Sequence, residues 1–427
     1  MKILIVSTYF PPQNSIASLR PYSWAKWWSK AGHEVTVVTT VKKKMPNDLK
    51  LDCSFFKVIS LPVPILSKIS SLLGSSSASN NRQSDKETNR SIIQFLKTRF
   101  IKFSSNTGCF YSARFPDFHD LWAIRIKKMI DPSDYDMVIS TGGPYSTHRV
   151  GYYMKKKNKK IKWIIDWRDY WTKSNEMRGL FVFCPYERYL ESKFHNNADM
   201  ISTVSDSFSD TFRSMTKTKV ITIYNGFDSD DFSFVKNRKR TDNKKLLIVY
   251  AGTIWPKIGD PSPLFKAIMN LDKARKITHD DLGVIFIGNS DVNNLVNKYE
   301  ISEYYSYKGF LPREDAIELQ YDADIGLFLG IDSQEAKGML TGKLFEMLIL
   351  SREIWAVGIS NNMQAGDLIE KTNSGYCFGI DVELIEKAIM DRLKNKIREE
   401  RQKNFELIDK FSRKKQSEIL LEAVNRS

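Results

Sequence analysis

Short apolar runs that end in small polar residues alternate along this chain with stretches of helical pattern. The first run, "KILIVST" at residues 2–8, shows no alternation of apolar and polar positions, which is typical of a strand buried on both faces of a parallel sheet. The loop "FPPQNSIASLR" follows, then "PYSWAKWWSKAG", a helical stretch that ends at Gly32, and then a second apolar run, "HEVTVVTT". This succession predicts a strand-helix-strand unit with parallel strands.

The same rhythm continues in two series, which a polar bridge, "NRKRTDNKK", separates. In the first series the further predicted strands are "KVISLPV", "YDMVIST", "IKWIIDW", "DMISTVS" and "VITIYNGFD". In the second series they are "LLIVYAGT", "LGVIFIGNS", "YSYKGFLP", "ADIGLFLG", "REIWAVG" and "GYCFG". We therefore expect an α/β protein with two facing, doubly wound Rossmann-like domains. Open parallel sheets bind ligands outside the carboxyl ends of their strands, so the active site is expected in the cleft between the domains.

The two series also place the domain boundaries. We predict an N-terminal domain, an interdomain linker, a C-terminal domain and C-terminal helices at residues 1–225, 226–245, 246–395 and 396–427. A stretch rich in Ser and Asn, Ser71–Arg90, predicts a mobile insertion within about residues 66–105. Beside it, "SIIQFLKTRFIKF" at residues 91–103 has two open interpretations. It is a helix packed on its own domain, or a helix that rests on anionic lipid.

Composition narrows the class of protein and of partner. The 427 residues are 42% hydrophobic and 27% charged, as in ordinary globular proteins, and they carry a net charge of +15. A charge of this size indicates an anionic partner: nucleic acid, a phosphorylated small molecule or a membrane surface. No CxxC pair occurs, which argues against a zinc site and for a reducing cytosol. The N-terminus lacks a signal-peptide pattern, and no run reaches the roughly 18 apolar residues of a membrane span, so we expect a cytoplasmic protein.

Ten segments occur in an order that one enzyme family shares. They are "FPPQNS…GHEVTVVT", "ISTGGPYSTH", "WIIDWRDYWT", "ADMISTVS", "IYNGFD", "VYAGT", "VIFIGNS", "YKGFLPRED", "ADIGLFL" and "KLFEML". Over nearly the whole chain, except the region 66–105, this order resembles the family-4 retaining glycosyltransferases of the GT-B fold. Within that family it resembles the bacterial branch that builds capsule, O-antigen and exopolysaccharide chains. The resemblance implies transfer of a sugar from a nucleotide-sugar, preferably a UDP-sugar, to a hydroxyl of a lipid-linked glycan acceptor, with retention of configuration.

Glu346, in "TGKLFEMLIL", matches the second glutamate of the family's E-x7-E motif, which binds the ribose hydroxyls of the donor. A carboxylate that accepts two hydroxyl hydrogen bonds is a directional clamp. The alternative is that Glu346 only favours the first helical turn or pairs with a lysine. Gly338 stands where the family has the first glutamate of the motif, and Glu335 lies three residues earlier. The resemblance therefore leaves the identity of the donor sugar open.

The other donor contacts that the resemblance implies lie at helix starts and strand ends of the C-terminal domain. The predicted helix start at Leu340–Lys343 offers backbone N–H groups and a positive dipole end to a diphosphate, and Gly338 and Met339, which precede it, are further expected donor contacts. Gly252 and Thr253 end a strand where members have an Arg or Lys near the diphosphate, and Lys257 is the nearest cation in that loop. Asn289 in "GNS" and Leu311 in "GFLPRED" occupy loops that hold the base.

The resemblance assigns the acceptor to the N-terminal domain. Asn14 and Ser15 stand where members place a glycine pair against the diphosphate, and Arg20, one helical turn on, is a candidate ligand of an anionic acceptor. Gly142 and Gly143 keep the end of another strand open to a ligand.

Three residues near these strand ends are candidate catalytic residues. Arg168 and Asp169 in "DWRDYW" are expected to line the acceptor-sugar site, the alternative being an internal ion pair. His148, in the predicted helix that follows Gly142 and Gly143, is the third candidate, although a lone histidine is more often a structural hydrogen-bonding group.

Three DxD patterns, Asp134–Asp136, Asp228–Asp230 and Asp322–Asp324, resemble the metal motif of a different glycosyltransferase fold. Because they lie in turns or before a strand, we interpret them as structural. The sequence therefore predicts no catalytic metal and no other cofactor.

Lysine runs at "VKKKM", "KKKNKK" and "KTRFIKF" all fall in the N-terminal domain. No nucleic-acid recognition motif accompanies them, so we expect no nucleic-acid partner and a protein held peripherally on the inner face of the cytoplasmic membrane, where the lipid-linked acceptor lies. Two rival functions stay open: a non-catalytic nucleotide- or glycan-binding descendant of the fold, which Gly338 favours, and a nucleotide-sugar 2-epimerase. An NAD-dependent oxidoreductase is excluded, because no GxGxxG follows the first strand.

Overall fold

The computed structural model describes residues 1–45, 48–64, 98–110, 113–174, 179–236, 238–254, 259–333, 338, 340–394 and 401–426. The chain forms two compact units. The first holds residues 1–223 together with the end of the chain from residue 417, and the second holds residues 224–416. Each unit contains one open parallel sheet with helices, which confirms the predicted fold class of two Rossmann-like domains.

Seven strands form the sheet of the first unit: β1 Lys2–Val6, β2 Glu34–Thr40, β3 Lys57–Leu61, β4 Met137–Thr141, β5 Lys162–Trp167, β6 Met200–Thr203 and β7 Val220–Thr222. All pairs are parallel, in the order β3-β2-β1-β4-β5-β6-β7. The chain leaves β1 toward β2 and β3 and resumes on the other side of β1 with β4. Strands β1 and β4 therefore form the switch point at which open sheets bind ligands.

Alternate side chains of the central strands enter two separate cores. Ile3 and Ile5 of β1 pack with Trp28 on one face of the sheet. Leu4 and Val6 belong to the core on the other face. Because helices bury both faces, these strands are continuous apolar runs rather than alternating ones.

Helices of the first unit are Ile16–Lys30, His119–Met129, Ser146–Lys157, Cys184–His195 and Asp206–Met215, and residues 98–107 are also helical. The first helix begins earlier than the predicted stretch near Pro21, because the Ser15 hydroxyl accepts a hydrogen bond from the Ser18 N–H and caps the helix at Ile16. The helix His119–Met129 was not predicted: its buried residues Trp122, Ala123 and Ile126 have helical spacing, but the exposed apolar residues Leu121, Ile124 and Met129 obscure that pattern in the sequence. None of the described helices is both long and apolar enough to cross a membrane.

The predicted insertion Ser71–Arg90 and the first part of the predicted helix, residues 91–97, lie outside the described residues. In the described part of that helix, Phe100, Ile101 and Phe103 are exposed.

The second unit repeats the same architecture with six parallel strands: β8 Leu246–Ala251, β9 Leu282–Ile287, β10 Tyr305–Tyr307, β11 Ile325–Leu329, β12 Glu353–Val357 and β13 Gly375–Gly379. Their order is β10-β9-β8-β11-β12-β13, so the switch point lies between β8 and β11. The helices of this unit are Ser233–Lys236, Ser262–Lys273, Asn293–Lys298, Arg313–Asp322, Gly342–Leu350, Gln364–Lys371, Val382–Lys394 and Phe405–Asp409.

The last helix, Arg413–Asn425, ends in the first unit and completes one of its cores. Leu420 and Val424 are buried in the same cluster as Trp28. The indole N–H of Trp28 donates a hydrogen bond to the carbonyl of Ser417, at 3.0 Å. The amphipathic pattern at the end of the chain therefore exists because one face of this helix is core.

We predict that Leu420→Ala lowers the free energy of unfolding of the first unit by about 2–5 kcal/mol, because it leaves a cavity beside Trp28. Urea unfolding followed by tryptophan fluorescence measures the change. Ile419→Ala on the same helix is the control: its side chain is 37% exposed, so a change of about 0.5 kcal/mol is expected. Equal effects of the two substitutions would contradict the packing of this helix against the first unit.

Candidate functional site

At the switch point of the first unit, the loops after β1 and β4 lie against each other. The Thr8 hydroxyl donates a hydrogen bond to the carbonyl of Gly143, at 3.1 Å. Gly143 has a φ of +73°, and a Cβ added there would lie 2.9 Å from the Arg168 guanidinium. The left-handed backbone therefore favours glycine here, and a larger residue would also displace the end of the Arg168 side chain.

Two cations flank an aromatic ring at this carboxyl edge, the edge of the sheet where the strands end. The Arg168 guanidinium lies 5.2 Å from the ring centre of Tyr9, and the Lys42 ammonium lies 6.0 Å from it. Arg168 Nε donates to the carbonyl of Gly142 at 3.1 Å, and Lys42 donates to the carbonyl of Thr8. Burial lowers the pKa of Lys42 to about 8. The arrangement gives this edge a positive potential.

Asn14 and Ser15 lie at the start of the helix Ile16–Lys30, in the loop that follows β1. Asn14 is exposed and Ser15 is the N-cap residue. They therefore occupy a helix N-terminus at this switch point, where the sequence predicted a loop, and they are close in the chain to Tyr9.

The structure corrects the prediction for Arg20. Its guanidinium is 3% exposed and forms an ion pair with Asp166, with Nη2 2.7 Å from Oδ1. Asp166 also accepts hydrogen bonds from the hydroxyls of Ser202 and Thr141, both at 2.8 Å. Because this pair is enclosed, Arg20 holds β5 to the first helix and is not accessible to an anionic acceptor.

The prediction for His148 also needs correction. The side chain is fully buried, its Nδ1 lies 2.9 Å from the Ser140 hydroxyl, and its ring packs edge-on against Trp167. Burial, followed by the charges of His195 and Arg168, holds the pKa of His148 well below its ordinary value. An enclosed neutral imidazole cannot exchange protons with an acceptor, so the structural alternative is the correct one.

Arg168 and Asp169 follow β5 but differ in their surroundings. Arg168 is partly buried and bound to backbone carbonyls, whereas Asp169 is exposed. Within the described residues no carboxylate lies within ion-pair distance of Arg168, although the charges of Asp169 and Asp166 partly offset the effect of burial on its pKa. Both remain candidates for contact with a ligand at this edge.

In the second unit, glycines follow the strands directly. Gly252 follows β8 with a φ of +143°, and Gly288 follows β9 with a φ of +95°. A Cβ on Gly288 would lie 2.7 Å from the carbonyl oxygen of Gly252. Gly330 and Gly358 follow β11 and β12, and a Cβ on Gly358 would lie 2.4 Å from the Gly330 carbonyl. The carboxyl edge is therefore lined by backbone rather than by side chains.

Lys343 places its ammonium against this glycine-lined edge. A Cβ on Gly252 would lie 2.0 Å from Lys343 Nζ. The ammonium donates hydrogen bonds to the Thr253 carbonyl at 3.2 Å and to the Tyr250 hydroxyl at 3.3 Å. Burial lowers the pKa of Lys343 to about 8, against a smaller opposing effect of Glu346. A cation that is held by neutral groups at a sheet edge can bind an anion there.

Glu346 lies three residues after Lys343 on the helix Gly342–Leu350, so the two side chains share a face. The sequence placed Glu346 in the first turn of this helix. The helix begins at Gly342, so Glu346 lies in its second turn instead. Glu346 Oε1 accepts a hydrogen bond from Arg313 Nη2 at 2.8 Å, and the same Nη2 lies 3.0 Å from Asp231 Oδ2. The glutamate therefore pairs with an arginine, not with a lysine.

This ion pair leaves part of Glu346 available. The glutamate is 17% exposed and Arg313 is 30% exposed, so both reach the surface. The carboxylates of Glu346 and Asp231 raise the pKa of Arg313. Arg313 therefore stays charged and fixes the direction of the carboxylate, whose second oxygen can accept from a ligand.

The remaining predicted donor residues lie around the same edge. Asn289 is exposed and its carbonyl accepts a hydrogen bond from the Ile254 N–H at 3.1 Å. Leu311 packs on a small core that includes Val249. Gly338 and Leu340 are buried in the loop before the helix.

Several predicted residues lie outside the described part of the chain. These are Lys257, Met339 and Glu335.

Within the described residues, no cluster of His, Cys, Asp or Glu has the spacing of a metal site. Each DxD pattern has a structural contact: Asp136 accepts from the Lys2 N–H, Asp228 caps the 3-10 turn at Asp230, and Asp322 pairs with Arg238. The absence of a catalytic metal stays a prediction.

The sequence analysis did not identify four residues that lie near the carboxyl edges of the two sheets: Arg313, Asp231, Tyr9 and Lys42. One signal could have found Arg313: it is the first residue of the helix Arg313–Asp322, where the positive helix end disfavours a cation. A basic residue at that position indicates a nearby carboxylate.

We predict that Arg20→Met lowers the free energy of unfolding by about 3–5 kcal/mol, because it leaves the Asp166 carboxylate buried without its cation. Urea unfolding measures the change, and Arg168→Met is the control, since Arg168 is less buried and donates only to carbonyls. If Arg20→Met does not fold, Arg20→Lys keeps the charge and should give an intermediate loss. Equal stability of Arg20→Met and the wild type would contradict the structural role.

No protein-family profile matches the sequence, and no curated protein matches it. Solved structures do match the fold over the whole chain. A trehalose-6-phosphate synthase, OtsA, superposes with a TM-score of 0.62 at 10% identity, covering 100% of this chain and 99% of that one.

Two further solved structures also superpose over the whole chain. An S. aureus TarM mutant in complex with UDP, α-GlcNAc-glycerol and fondaparinux superposes with a TM-score of 0.59 at 10% identity, covering 99% of each chain. The lipopolysaccharide outer core galactosyltransferase WaaB superposes with a TM-score of 0.55 at 11% identity, covering 100% of this chain and 99% of that one. At these identities the likeness concerns architecture, and the chain has the GT-B fold of these glycosyltransferases.

Proposed function

We propose that this protein is a retaining glycosyltransferase of family 4 that moves a sugar from a nucleotide-sugar to a hydroxyl of a lipid-linked glycan in surface polysaccharide biosynthesis. The observation that carries the proposal is that Lys343 and Glu346 share one face of a helix beside the glycine-lined edge of the second unit. A nucleoside diphosphate needs both groups: a cation for the phosphates and a carboxylate for the ribose hydroxyls.

The glycines at the ends of β8 and β9 allow a diphosphate to approach the backbone closely. Lys343 places its ammonium against Gly252 at this edge. Because the ammonium is partly removed from water, it binds an anion more strongly than an exposed ammonium would. Glu346 accepts from the ribose, and Arg313 keeps its carboxylate oriented when no donor is bound. UDP is the preferred nucleotide.

The roles of the residues in sugar transfer follow from the position at which negative charge develops in the transition state. When the bond between the sugar and the diphosphate breaks, negative charge grows on the leaving oxygen, and Lys343 stabilises it without a metal ion. The acceptor hydroxyl attacks the face of the sugar that the diphosphate leaves, so the configuration is retained. The acceptor proton goes to the departing phosphate or to solvent.

The first unit supplies the acceptor side of the proposal. Arg168 and Lys42 around Tyr9 form a cationic carboxyl edge that suits the phosphates of a lipid-linked acceptor. The lysine-rich first unit and the exposed Phe100, Ile101 and Phe103 fit a protein held peripherally at the inner face of the cytoplasmic membrane. No nucleic-acid partner and no cofactor are part of the proposal.

A second candidate is a binding protein without turnover, because Gly338 stands where the related enzymes have a glutamate near the donor sugar. The two functions share the nucleotide site and differ only in sugar transfer. Release of UDP in the presence of a lipid-linked acceptor distinguishes the enzyme from the binding protein.

We predict that Glu346→Ala weakens UDP binding by at least about tenfold, since a charge-assisted hydrogen bond contributes roughly 1.5–3 kcal/mol. Isothermal titration calorimetry of the full chain against UDP and its 2′,3′-dideoxy analogue measures it. The wild type should prefer UDP, and the variant should not discriminate between the two ligands.

Glu370→Ala is the matched control for this experiment, because Glu370 is an exposed glutamate of another helix in the same unit. It should leave both affinities unchanged. If Glu346→Ala retains the preference for the ribose hydroxyls, the carboxylate does not bind ribose and the proposal for this site is wrong.

We also predict that UDP affinity falls as pH rises through about 8, the pKa of Lys343 in the free protein. The pKa is lowered relative to an ordinary lysine, so the ammonium is fully present only below this value and is lost above it. Well above pH 8 the loss approaches about tenfold per pH unit. The phosphates of UDP are already ionised in this range, so their titration does not contribute.

Titrations from pH 7 to pH 9.5 with UDP and with uridine measure the effect. Uridine lacks phosphates but shares the weakly acidic N3–H of uracil, so its profile gives the pH dependence that does not involve the phosphates and is subtracted from that of UDP. Lys343→Arg keeps its charge and should flatten the UDP profile even if it binds more weakly. A wild-type profile that is flat for UDP would remove Lys343 from the diphosphate site.

A further inference from the structure

An open cavity of about 880 Å³ lies in the first unit, away from the carboxyl edge. Its walls are the end of the helix His119–Met129 with the loop that leads into β4, and the end of the helix Ser146–Lys157 with the loop that leads into β5. It therefore lies at the amino ends of β4 and β5, opposite the edge that carries Gly142 and Arg168.

Positive charge dominates the lining of this cavity. Five lysines line it, and they are Lys127, Lys128, Lys157, Lys159 and Lys160. The one acidic residue in the lining is Asp131, and its Oδ1 accepts a hydrogen bond from the Ser133 N–H at 2.9 Å. Five ammonium groups and one carboxylate give the lining a net charge of +4.

These lysines have no carboxylate partners within the described residues. Lys155 belongs to the run "KKKNKK" at residues 155–160, which also contains Lys157, Lys159 and Lys160. It differs from them, because it forms an ion pair with Asp199 at 2.8 Å and donates to the Ile161 carbonyl. Lys155 does not line the cavity. The run therefore divides into one lysine that stabilises the fold and others whose charge faces the open space.

Lys127 is the most enclosed of the five. Its ammonium lies 5.7 Å from the ring centre of Tyr153, which also lines the cavity. Burial and the positive charge of Arg149 lower the pKa of Lys127, and the carboxylate of Asp120 has a smaller, opposing effect. An anion in the cavity would further stabilise the charged ammonium.

The ends of two helices meet here, and basic residues commonly neutralise helix C-termini. That role accounts for Lys127, Lys128 and Lys157, which lie in last turns. It does not account for Lys159 and Lys160, which lie beyond the end of the helix Ser146–Lys157. The cavity therefore holds more positive charge than the helix ends require.

We propose that this cavity binds a phosphate-bearing ligand, with the ammonium groups of Lys157, Lys159 and Lys160 on one wall and those of Lys127 and Lys128 on the other. Ammonium groups are compact charges suited to phosphate, and the volume lies within the range of pockets that hold small molecules. The site is separate from the proposed donor site and does not depend on the transfer reaction.

The surface beside the cavity favours a phospholipid headgroup as the source of the phosphate. Met129, which lines the cavity, is 55% exposed, and Ile124 and Leu121 of the same helix are 49% and 39% exposed. Their spacing places them on one helix face with the exposed Arg125. Apolar side chains beside a basic cavity match the boundary between headgroups and acyl chains.

The test compares two charge-reversed variants of the full chain. In the cavity variant, Lys157, Lys159 and Lys160 are replaced by Glu. In the control variant, three exposed lysines of the same unit that do not line the cavity, Lys50, Lys57 and Lys217, are replaced by Glu. The two variants have the same net charge, and equal unfolding midpoints with unchanged UDP binding show that the fold and the donor site are intact.

Two binding assays identify the source of the phosphate. Cosedimentation uses phosphatidylcholine vesicles with and without phosphatidylglycerol, and calorimetry uses inorganic pyrophosphate. We expect the cavity variant to bind anionic vesicles at least about a hundredfold more weakly than the control variant, since each lysine near an anionic surface contributes roughly 1 kcal/mol. Ile124→Gln with Met129→Gln should weaken vesicle binding and leave any pyrophosphate binding unchanged.

Loss of vesicle binding in the cavity variant alone supports the headgroup, and loss of pyrophosphate binding alone supports a soluble phosphate ligand. If the wild type binds neither ligand, or if the cavity and control variants lose binding equally, the charge acts without a site and the proposal is wrong. Because neither assay uses sugar transfer, a failure here is distinct from a failure of the proposed enzyme activity.

Discussion

Parallel pairing of every strand is the constraint on which the rest of this structure depends. Parallel strands need crossover connections, and here helices provide most of them, although no described residue between β2 and β3 is helical. All strands of a sheet then end at the same edge, so residues far apart in the chain become neighbours. Thr8 contacts Gly143, and Lys343 contacts Gly252, for this reason alone.

The same constraint explains why the site residues are mostly glycines and cations. Backbone at a strand end has unpaired polar groups and little side-chain bulk where glycines follow, so it can contact an anionic ligand directly. Lys343 and Arg168 donate to backbone carbonyls at these edges, which holds their charges in place without neutralising them. A cation held in this way is prepared for a phosphate before the ligand arrives.

Buried ion pairs perform a different task and use the same residue types. Arg20 with Asp166 and Arg114 with Glu187 are almost fully enclosed, and each guanidinium also donates to a carbonyl of a distant segment. Removing either partner would leave an uncompensated buried charge. Arg313 with Glu346 is intermediate: it is linked to Asp231 but reaches the surface, so it can orient a carboxylate and still admit a ligand.

The sequence by itself determined the architecture, because continuous apolar runs and helical periods report which faces are buried. The resemblance of its motifs to a known family singled out Gly252, Lys343 and Glu346 as donor contacts, and that assignment stays a prediction. Only the tertiary structure decided which charged residues are free to act. Arg20 and Arg168 look alike in the sequence, yet one is enclosed with Asp166 while the other lies at the sheet edge beside Tyr9. Burial and the choice of partner are properties of segments brought together across the fold, and no local pattern of residues contains them.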